Sequence, residues 1–299
     1  MIKLGVGAYT IREELKNNPM TALKNVADIG YKVIEFCNIG ADKYPESIGA
    51  FDIDSKAIKS LADELDLKIV GSLALPGEFL SIEQIDQLYD DSELMGRIFK
   101  FNKEIGGDHV TIGIGFYKDK DYLLRRCEAY NKLGSLCNKH GLRLLYHNHY
   151  EEFQKFGNDL VLDLLVENTD PELIAFELDA YWVFRSAYDP IQKMRQYGKR
   201  IESVHIKDYP FNQAKHIDLW AMIDQNTPVL PDTFMNVARP DFFVELGDGM
   251  IKIQDIIDLG NELGVRYLLV EQDETALPSG LDSIKRSYAN MMKMRDLDR

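Results

Sequence analysis

The 299-residue sequence predicts a single-domain α/β protein with the (β/α)8 TIM barrel architecture, and two observations carry the prediction. Short, β-branched apolar runs alternate with amphipathic helical stretches along the whole chain. The runs are almost continuously apolar, which is typical of parallel strands covered on both faces. Eight strands and eight helices in strict alternation, at this length, match the barrel.

The eight predicted strands are KLGVGAY, KVIEF, KIVGSLAL, HVTIGIG, LRLLYHN, IAFELD, SVHIKD and YLLVEQD, in chain order. The helices between them carry start and stop signals, such as Asp54 or Ser55 at one start and Asp189 with Pro190 at another. A doubly wound open sheet is the alternative fold. The first strand, however, runs into GVGAYTI, which lacks the GxGxxG turn of a dinucleotide site.

No linker or low-complexity segment divides the chain, so we predict one domain over residues 1–299. One connection, between the seventh strand and its helix at about 209–255, is unusually long. Loops of this length are usually functional or carry added elements. Within it, RPDFFVELGDGM predicts a short added strand and turn.

The composition excludes several partner classes. Acidic residues outnumber basic ones by 49 to 35, and the net charge of -14 disfavours nucleic acid and anionic membrane surfaces. No run of 18 apolar residues predicts a membrane span. Three cysteines without CxxC spacing are too few for a disulfide framework, and Cys127 and Cys137, on a predicted helix, are expected to be buried free thiols in a reducing compartment. With no visible signal peptide, we expect a cytoplasmic protein.

Polar residues cluster where four consecutive predicted strands end. In a barrel, the carboxyl ends of the strands meet at one rim, where the chemistry takes place. The fifth to eighth strands end in His147, Asp179, His205 and Glu271. Each residue alone is ordinary, since a histidine is often a hydrogen-bonded strand end and an aspartate often a helix cap. Together they predict a divalent metal site for Mn, Co, Zn or Mg.

These motifs justify a comparison with a known family. With YHNHYEEF, ELDAYWVFRSAYDP, RIESVHIKDY and VEQDE, the chain resembles the sugar phosphate isomerase/epimerase family, the xylose isomerase-like TIM barrels, over nearly its whole length. The combination of YHNHxxEF, HIKD and VEQD is similar to a branch near inosose dehydratase-like and 3-ketoglycoside-processing enzymes. The resemblance implies metal ligands at Asp179, His205 and Glu271, with Glu271 also a base.

One position departs from the family pattern. The fourth ligand of the family is often a glutamate at the end of the fifth strand, and His147 takes its place here. The resemblance implies that an epimerase of this family uses two glutamates, one on each face of the substrate. The replacement therefore favours a lyase or a one-base isomerase.

Neighbouring residues supply candidates for catalysis and binding. Glu271 or Glu152 is the candidate base, and His149 a candidate proton donor to a leaving hydroxyl, with a loop histidine bonded to backbone as the alternative. Candidate substrate contacts are Lys207, Trp182, Tyr9 and Arg12. An outer salt bridge for Lys207, plain core packing for Trp182 and a surface position for Arg12 remain the alternatives.

The predicted function is that of a metal-dependent isomerase, epimerase or lyase. It acts on a keto-sugar or keto-cyclitol by removing a proton α to the carbonyl. We expect a small-molecule partner and a possible homo-oligomer. One alternative is a sugar-binding barrel without catalysis. A less favoured one is an endonuclease-type phosphodiesterase, which needs more histidines than the six present and a basic face.

Overall fold

A closed barrel of parallel strands organises the protein. The computed structural model describes residues 1–37, 54–75, 92–113, 115–230, 232–234 and 237–298. The strands are β1 (Ile2–Gly7), β2 (Val33–Cys37), β3 (Lys68–Leu75), β4 (His109–Gly113), β5 (Arg143–His147), β6 (Lys155–Phe156), β7 (Asp159–Leu160), β8 (Ile174–Asp179), β9 (Ile201–Ile206), β10 (Tyr267–Val270) and β11 (Leu297–Asp298).

Eight of these strands form the barrel. β1 to β5 pair in parallel in chain order, β5 pairs with β8, then β9 and β10 follow, and β10 pairs with β1 to close the ring. The small strands β6 and β7 form an antiparallel hairpin, and β11 lies beside β1. The predicted fold class is confirmed, and each predicted strand overlaps a barrel strand. Ile114, which the prediction placed in the fourth strand, lies outside the described residues.

Helices surround the barrel. They are α1 (Arg12–Asn17), α2 (Pro19–Ile29), α3 (Ser55–Glu64), α4 (Ser92–Glu104), α5 (Lys120–Lys139), α6 (Val161–Asn168), α7 (Ala180–Arg185), α8 (Pro190–Tyr197), α9 (Ile253–Leu263) and α10 (Gly280–Met291). Two predicted start signals are confirmed as side-chain caps, since Asp54 accepts from Lys56 N and Asp189 from Ile191 N. In the described ranges, no helix is long and apolar enough to span a bilayer.

Two apolar regions lie on either side of the barrel wall. The large core fills the space between strands and helices, and the predicted free thiols Cys127 and Cys137 are buried, as is Cys37. A small cluster of Val33, Val70, Tyr267 and Leu269 forms a separate apolar group. Toward the carboxyl ends of the strands, ionisable side chains replace the branched apolar residues that usually fill a barrel interior. This end therefore carries the candidate chemistry.

The long connection between β9 and α9 begins at a buried aspartate. The Asp208 carboxylate accepts hydrogen bonds from the backbone N–H groups of Tyr209, Gly247, Gly249 and Ile251 at 2.8 to 3.0 Å. A Cβ atom at Gly249 would lie 2.3 Å from Asp208 Oδ1, so only glycine fits there. Burial raises the pKa of Asp208 to about 6, while the backbone donors act in the opposite direction.

This aspartate ties the far end of the connection back to the rim. A single antiparallel bridge joins Asp208 to Val244, and a 3-10 turn spans Pro240–Phe242. The predicted added strand in RPDFFVELGDGM is thus reduced to one bridge and one turn. Because one carboxylate satisfies four backbone donors, the connection has a fixed return path.

We predict that Asp208→Asn destabilises the protein by about 1–3 kcal/mol, because an amide cannot accept from all four backbone donors. Denaturant unfolding at neutral pH measures the change. Asp248→Asn is the matched control, since Asp248 lies in the same connection and pairs with the exposed Arg286. We expect the control to change the free energy of unfolding by less than about 1 kcal/mol. Equal losses in the two variants would contradict the anchoring role.

Candidate metal centre

The four predicted ligands lie at the ends of four adjacent barrel strands. His147 ends β5, Asp179 ends β8, His205 lies one residue before the end of β9, and Glu271 directly follows β10. The register pairs Asp179 with His205, and Leu269 with His205. All four ligand-type side chains are buried. Parallel register thus brings residues distant in sequence to one level of the rim.

Their ligand atoms converge. One nitrogen or oxygen atom from each of the four residues lies within 4.8 Å of the others. His205 Nδ1 is 3.0 Å from Glu271 Oε2, and His147 Nε2 is 3.9 Å from Asp179 Oδ2. Bonds of about 2.1 Å to one ion place neighbouring donor atoms roughly 3 to 3.5 Å apart. Two imidazole nitrogens and two carboxylate oxygens suit Zn, Mn, Co or Fe. The residues present therefore fit a divalent metal.

The two carboxylate oxygens of Asp179 have different roles. Oδ1 accepts from Trp182 N at 3.0 Å and so caps α7. The backbone N–H of Asp179 donates to Asn148 Oδ1 at 3.1 Å, which links the ends of β5 and β8. Oδ2 is left to face the cluster. The side chain is thus held in one orientation before any ligand binds.

Lys207 supplies a buried positive charge beside the cluster. Because β9 ends at Ile206, the Lys207 side chain turns inward and contacts the carboxylates of Asp179, Glu271 and Asp273. Its Nζ is 2.7 Å from Glu271 Oε2 and 3.3 Å from Asp273 Oδ1. Burial lowers the pKa of Lys207, but these carboxylates raise it well above its usual value. The salt bridge of Lys207 is therefore an inner one, not an outer one.

The carboxylates respond to this lysine differently. Burial raises the pKa of Glu271, but Lys207 and His205 lower it more, so that it lies well below its usual value. For Asp273, burial outweighs the effect of Lys207 and raises the pKa to about 6. Glu271 is consequently an ionised ligand candidate and a weak base.

A second layer of acids lies on the inner side of the histidines. Glu35, from β2, accepts from His205 Nε2 at 2.9 Å. Glu177, two residues before Asp179 on β8, has Oε1 3.1 Å from His205 Nε2 and 3.2 Å from His147 Nδ1. Both glutamates are buried. The imidazoles therefore stand between two layers of carboxylates.

Glu152 occupies a different environment from the cluster. Its Oε1 accepts from Tyr146 OH at 2.6 Å and from Gly115 N at 3.0 Å, and its Oε2 accepts from His149 N at 2.8 Å. Burial raises its pKa despite these donors. Tyr146 is bonded in turn to Tyr117 at 2.8 Å. The carboxylate thus holds the backbone that follows β5.

His149, which Glu152 holds by its backbone N–H, lies next to the cluster. Its ring centroid is 4.6 Å from that of His147 and 6.1 Å from that of Trp182. Its Nδ1 is buried and has no hydrogen-bond partner among the described residues. Burial, and then the charges of His147 and Lys207, lower the pKa of His149 well below its usual value. The ring has a free nitrogen at the site.

Trp182 forms part of an aromatic wall at the same rim. It is 1% exposed, and its ring lies 5.3 Å from that of Tyr150 and 5.0 Å from that of Tyr181. Lys207 Nζ is 6.0 Å from the ring centroid. The indole Nε1 is buried and finds no acceptor within the described part of the chain. A buried N–H group without an acceptor is able to donate a hydrogen bond to a substrate oxygen.

Tyr9 and Arg12 contact each other at the outer rim. The Arg12 guanidinium lies 4.4 Å from the Tyr9 ring centroid and pairs with Glu274 at 3.0 Å. Burial raises the pKa of Tyr9 to about 12; Arg12 opposes this, while Asp273 and Glu271 reinforce it. Tyr9 therefore lies within the electrostatic reach of the cluster, and Arg12 has a partner already.

The sequence reasoning did not select Glu35, Glu177, His109 or Asp273. For Glu177 a signal exists, because it lies two residues before Asp179 and so on the same face of the strand. For Glu35 the signal is a charged residue inside the apolar run KVIEF. His109 begins the fourth predicted strand, and only the folded barrel brings it within 2.8 Å of Glu35.

We expect zinc or cobalt to stabilise the folded chain. Metal at a hundredfold excess over its Kd stabilises by about 2.7 kcal/mol, measured as a rise in Tm against a chelator-treated sample. His147→Ala removes one of four donors and should abolish most of the rise. His216→Ala, which alters an exposed histidine, is the matched control and should leave it intact. If the Tm of the wild type changed with neither metal nor chelator, the result would argue against a metal centre.

A comparison with models of known protein families identifies the family of this chain. The family model of xylose isomerase-like TIM barrels matches residues 23–288. Over 150 residues the chain is 27% identical to inosose dehydratase from Clostridium perfringens, which covers 49% of this chain and 46% of that protein. The chain thus spans about half the length of the curated relatives it matches.

Solved structures share the fold at low identity. A sugar phosphate isomerase/epimerase from Parabacteroides distasonis has a TM-score of 0.76 at 21% identity, covering 99% of this chain and 96% of that chain. The IOLI protein with a bound zinc atom has a TM-score of 0.63 at 14% identity, covering 98% and 97%. On the strength of the match over most of its length, this chain belongs to the xylose isomerase-like TIM barrel family.

Proposed function

We propose that this chain is a metal-dependent lyase that removes water from a keto-sugar or keto-cyclitol. The observation that carries the proposal is the convergence of His147, Asp179, His205 and Glu271 on one point beside an imidazole nitrogen without a partner among the described residues. An α-hydroxy ketone bound at this site would need both features, because a Lewis acid would polarise its carbonyl oxygen and a base would accept its α-proton.

Two imidazoles and two carboxylates would hold the divalent ion. The ion supplies Lewis acidity, which polarises a substrate carbonyl and stabilises charge on its oxygen. Glu271 serves this centre as an anionic ligand, because Lys207 and His205 hold its pKa low and both contact its Oε2. The proton transfer then falls to another group.

His149 is the residue we assign to the proton. Glu152 fixes its backbone, and its free Nδ1 takes the proton from the carbon α to the carbonyl. The electron pair of the broken C–H bond forms a C=C bond, and the C–O bond to the β-hydroxyl breaks. The hydroxyl leaves with the proton from Nδ1 as water, so that His149 ends as it began. No oxidant or reductant is needed.

The surroundings of the base favour elimination over epimerisation. Epimerisation by two bases needs a second proton carrier on the opposite face of the substrate. His147 stands where the family often has a second glutamate and is a ligand in this proposal, and Glu152 already accepts three hydrogen bonds. His149, acting from one face, can return its proton to a leaving group on the same face.

Substrate binding uses the remaining rim residues. The indole N–H of Trp182 donates to a substrate hydroxyl, while the ring covers an apolar C–H face. Lys207, paired with three carboxylates, brings a positive charge beside the bound substrate. Tyr9 and Arg12 form the outer wall. The similarity to inosose dehydratase over half of the chain supports a cyclitol-like substrate.

Two substitutions separate the base from the ligand. We expect His149→Gln to lower kcat by roughly 10²- to 10⁴-fold while leaving the affinity for cobalt intact. Glu271→Gln should lower both turnover and metal affinity while the chain stays folded. The assay incubates the metal-loaded protein with inososes and keto-sugars in D2O and follows deuterium uptake and alkene formation by NMR. Glu202→Gln, which alters a carboxylate paired with Arg143 away from the cluster, is the control.

Other outcomes of this assay identify other functions. Deuterium uptake with inversion and no water loss would replace the lyase by an epimerase. Binding of a sugar without deuterium exchange would indicate a sugar-binding protein without catalytic activity. Full activity of Glu271→Gln would remove Glu271 from the centre, and full activity of His149→Gln would refute the assigned base.

A further prediction concerns the indole N–H. Trp182→Phe keeps an aromatic wall and loses one donor, which is worth about 0.5–1.5 kcal/mol. We expect KM to rise about threefold to tenfold with kcat changed less than twofold. Trp220→Phe is the matched control, because Trp220, the other tryptophan, packs on Phe234 in the long connection. Unchanged KM in Trp182→Phe would make Trp182 a packing residue only.

A further inference from the structure

We propose that Glu35 and Glu177 are positioning residues that hold the two imidazole ligands from their inner side. They determine which ring nitrogen of each histidine faces the metal, namely Nδ1 of His205 and Nε2 of His147. This inference rests on the metal centre proposed above. It assigns a role to two carboxylates that the proposed reaction does not use.

The contacts of each ring nitrogen carry the assignment. On the inner side, His205 Nε2 is 2.9 Å from Glu35 Oε2 and 3.1 Å from Glu177 Oε1. On the outer side, its Nδ1 is 3.0 Å from Glu271 Oε2. For His147 the roles of the nitrogens are reversed, with Nδ1 3.2 Å from Glu177 Oε1 and Nε2 toward Asp179. One carboxylate oxygen of Glu177 thus lies under both rings.

The chemistry of metal-binding histidines explains why this matters. A ligand imidazole usually donates its second N–H to a carboxylate or carbonyl, which fixes the tautomer, orients the ring and increases the basicity of the ligating nitrogen. Loss of such a partner typically costs 10- to 100-fold in metal affinity. Glu35 fits this role for His205, to which it is hydrogen-bonded. Glu177 has its Oε1 3.2 Å from His147 Nδ1, which makes no hydrogen bond among the described residues, and is placed to accept from that ring. Both glutamates bring negative charge to the inner side of the imidazoles.

The strand pairing is irregular next to both glutamates. Between Ile34 and Glu35 the pairing of β2 with β3 skips Val70 of β3, and between Phe176 and Glu177 the pairing of β8 with β9 skips Glu202 of β9. Such irregularities are frequent beside active sites. After the shifts, Glu35 pairs with Gly71. The shifts thus lie at the positions of the two inner acids.

Glu35 is anchored from below. Its Oε1 accepts from Thr111 Oγ1 at 2.9 Å and from His109 Nε2 at 2.8 Å, and His109 Nδ1 is bonded to Asp108 at 2.8 Å. A Cβ atom at Gly71 would lie 2.5 Å from the His109 ring, so the glycine makes room for it. Glu35 therefore meets His205 from a fixed position.

Cobalt binding tests the inference. Titration with Co²⁺, followed by its visible absorption, gives the Kd and the stoichiometry for the wild type, Glu35→Gln and Glu177→Gln. We expect one ion per wild-type chain and a Kd raised 10- to 100-fold in each variant. Glu152→Gln is the matched control, being a buried, hydrogen-bonded carboxylate at the same rim whose partners are Tyr146, Gly115 and His149. Its Kd should stay within threefold of wild type.

A second measurement separates positioning from folding. The Tm of each metal-free variant reports its stability, and a positioning role requires a loss of affinity beyond that of any variant with a similar Tm. Wild-type affinity in both Glu35→Gln and Glu177→Gln would overturn the inference. So would two ions per wild-type chain, because Glu35, Glu177 and His205 would then be ligands of the second ion. Failure of the wild type to bind cobalt would refute the proposed function itself.

Discussion

The barrel buries a cluster of ionised side chains at one rim, and the stability of this end of the protein depends on how their charges are compensated. Burying a carboxylate costs several kcal/mol unless a counter-charge and hydrogen bonds compensate it. Lys207 compensates Asp179 and Glu271, and the histidines compensate the acids behind them. Because each group is the partner of at least one other, the arrangement is stable only as a whole. The strands must hold it in register, and this requirement explains the rigid surroundings of the site.

The supporting shell consists of groups that satisfy backbone donors. Asp208 fixes the return of the long connection next to Lys207, and Glu152 fixes the residues after β5 through His149 N. Asp179 both caps α7 and faces the cluster. Carboxylates therefore have two distinct uses at this rim. Those that accept from backbone build the scaffold, and those that face histidine or lysine build the charge cluster.

The sequence predicts what local pattern and parallel register determine. Apolar runs locate the eight barrel strands, and the polar residues that end four of them identify His147, Asp179, His205 and Glu271 as neighbours. It does not predict the role of Glu152, which depends on how the chain turns after β5 toward Tyr146 and Gly115. The inner acid Glu35 was also missed, because its contact with His205 spans 170 positions and needs a closed barrel.

The charge balance of the rim bears on the class of substrate. Among the described residues, five carboxylates surround the centre, from Glu35, Glu177, Asp179, Glu271 and Asp273, and the adjacent cations are Lys207 and His109. With His205 neutral as a metal ligand, a divalent ion would offset most of this excess negative charge and leave the site slightly negative. A phosphate group would add repulsion there, and Arg12 at the outer rim already pairs with Glu274. For the proposed reaction, Coulomb interactions in this partly buried setting, worth on the order of 1–4 kcal/mol per close pair, would therefore favour a neutral keto-sugar or keto-cyclitol over a phosphorylated one.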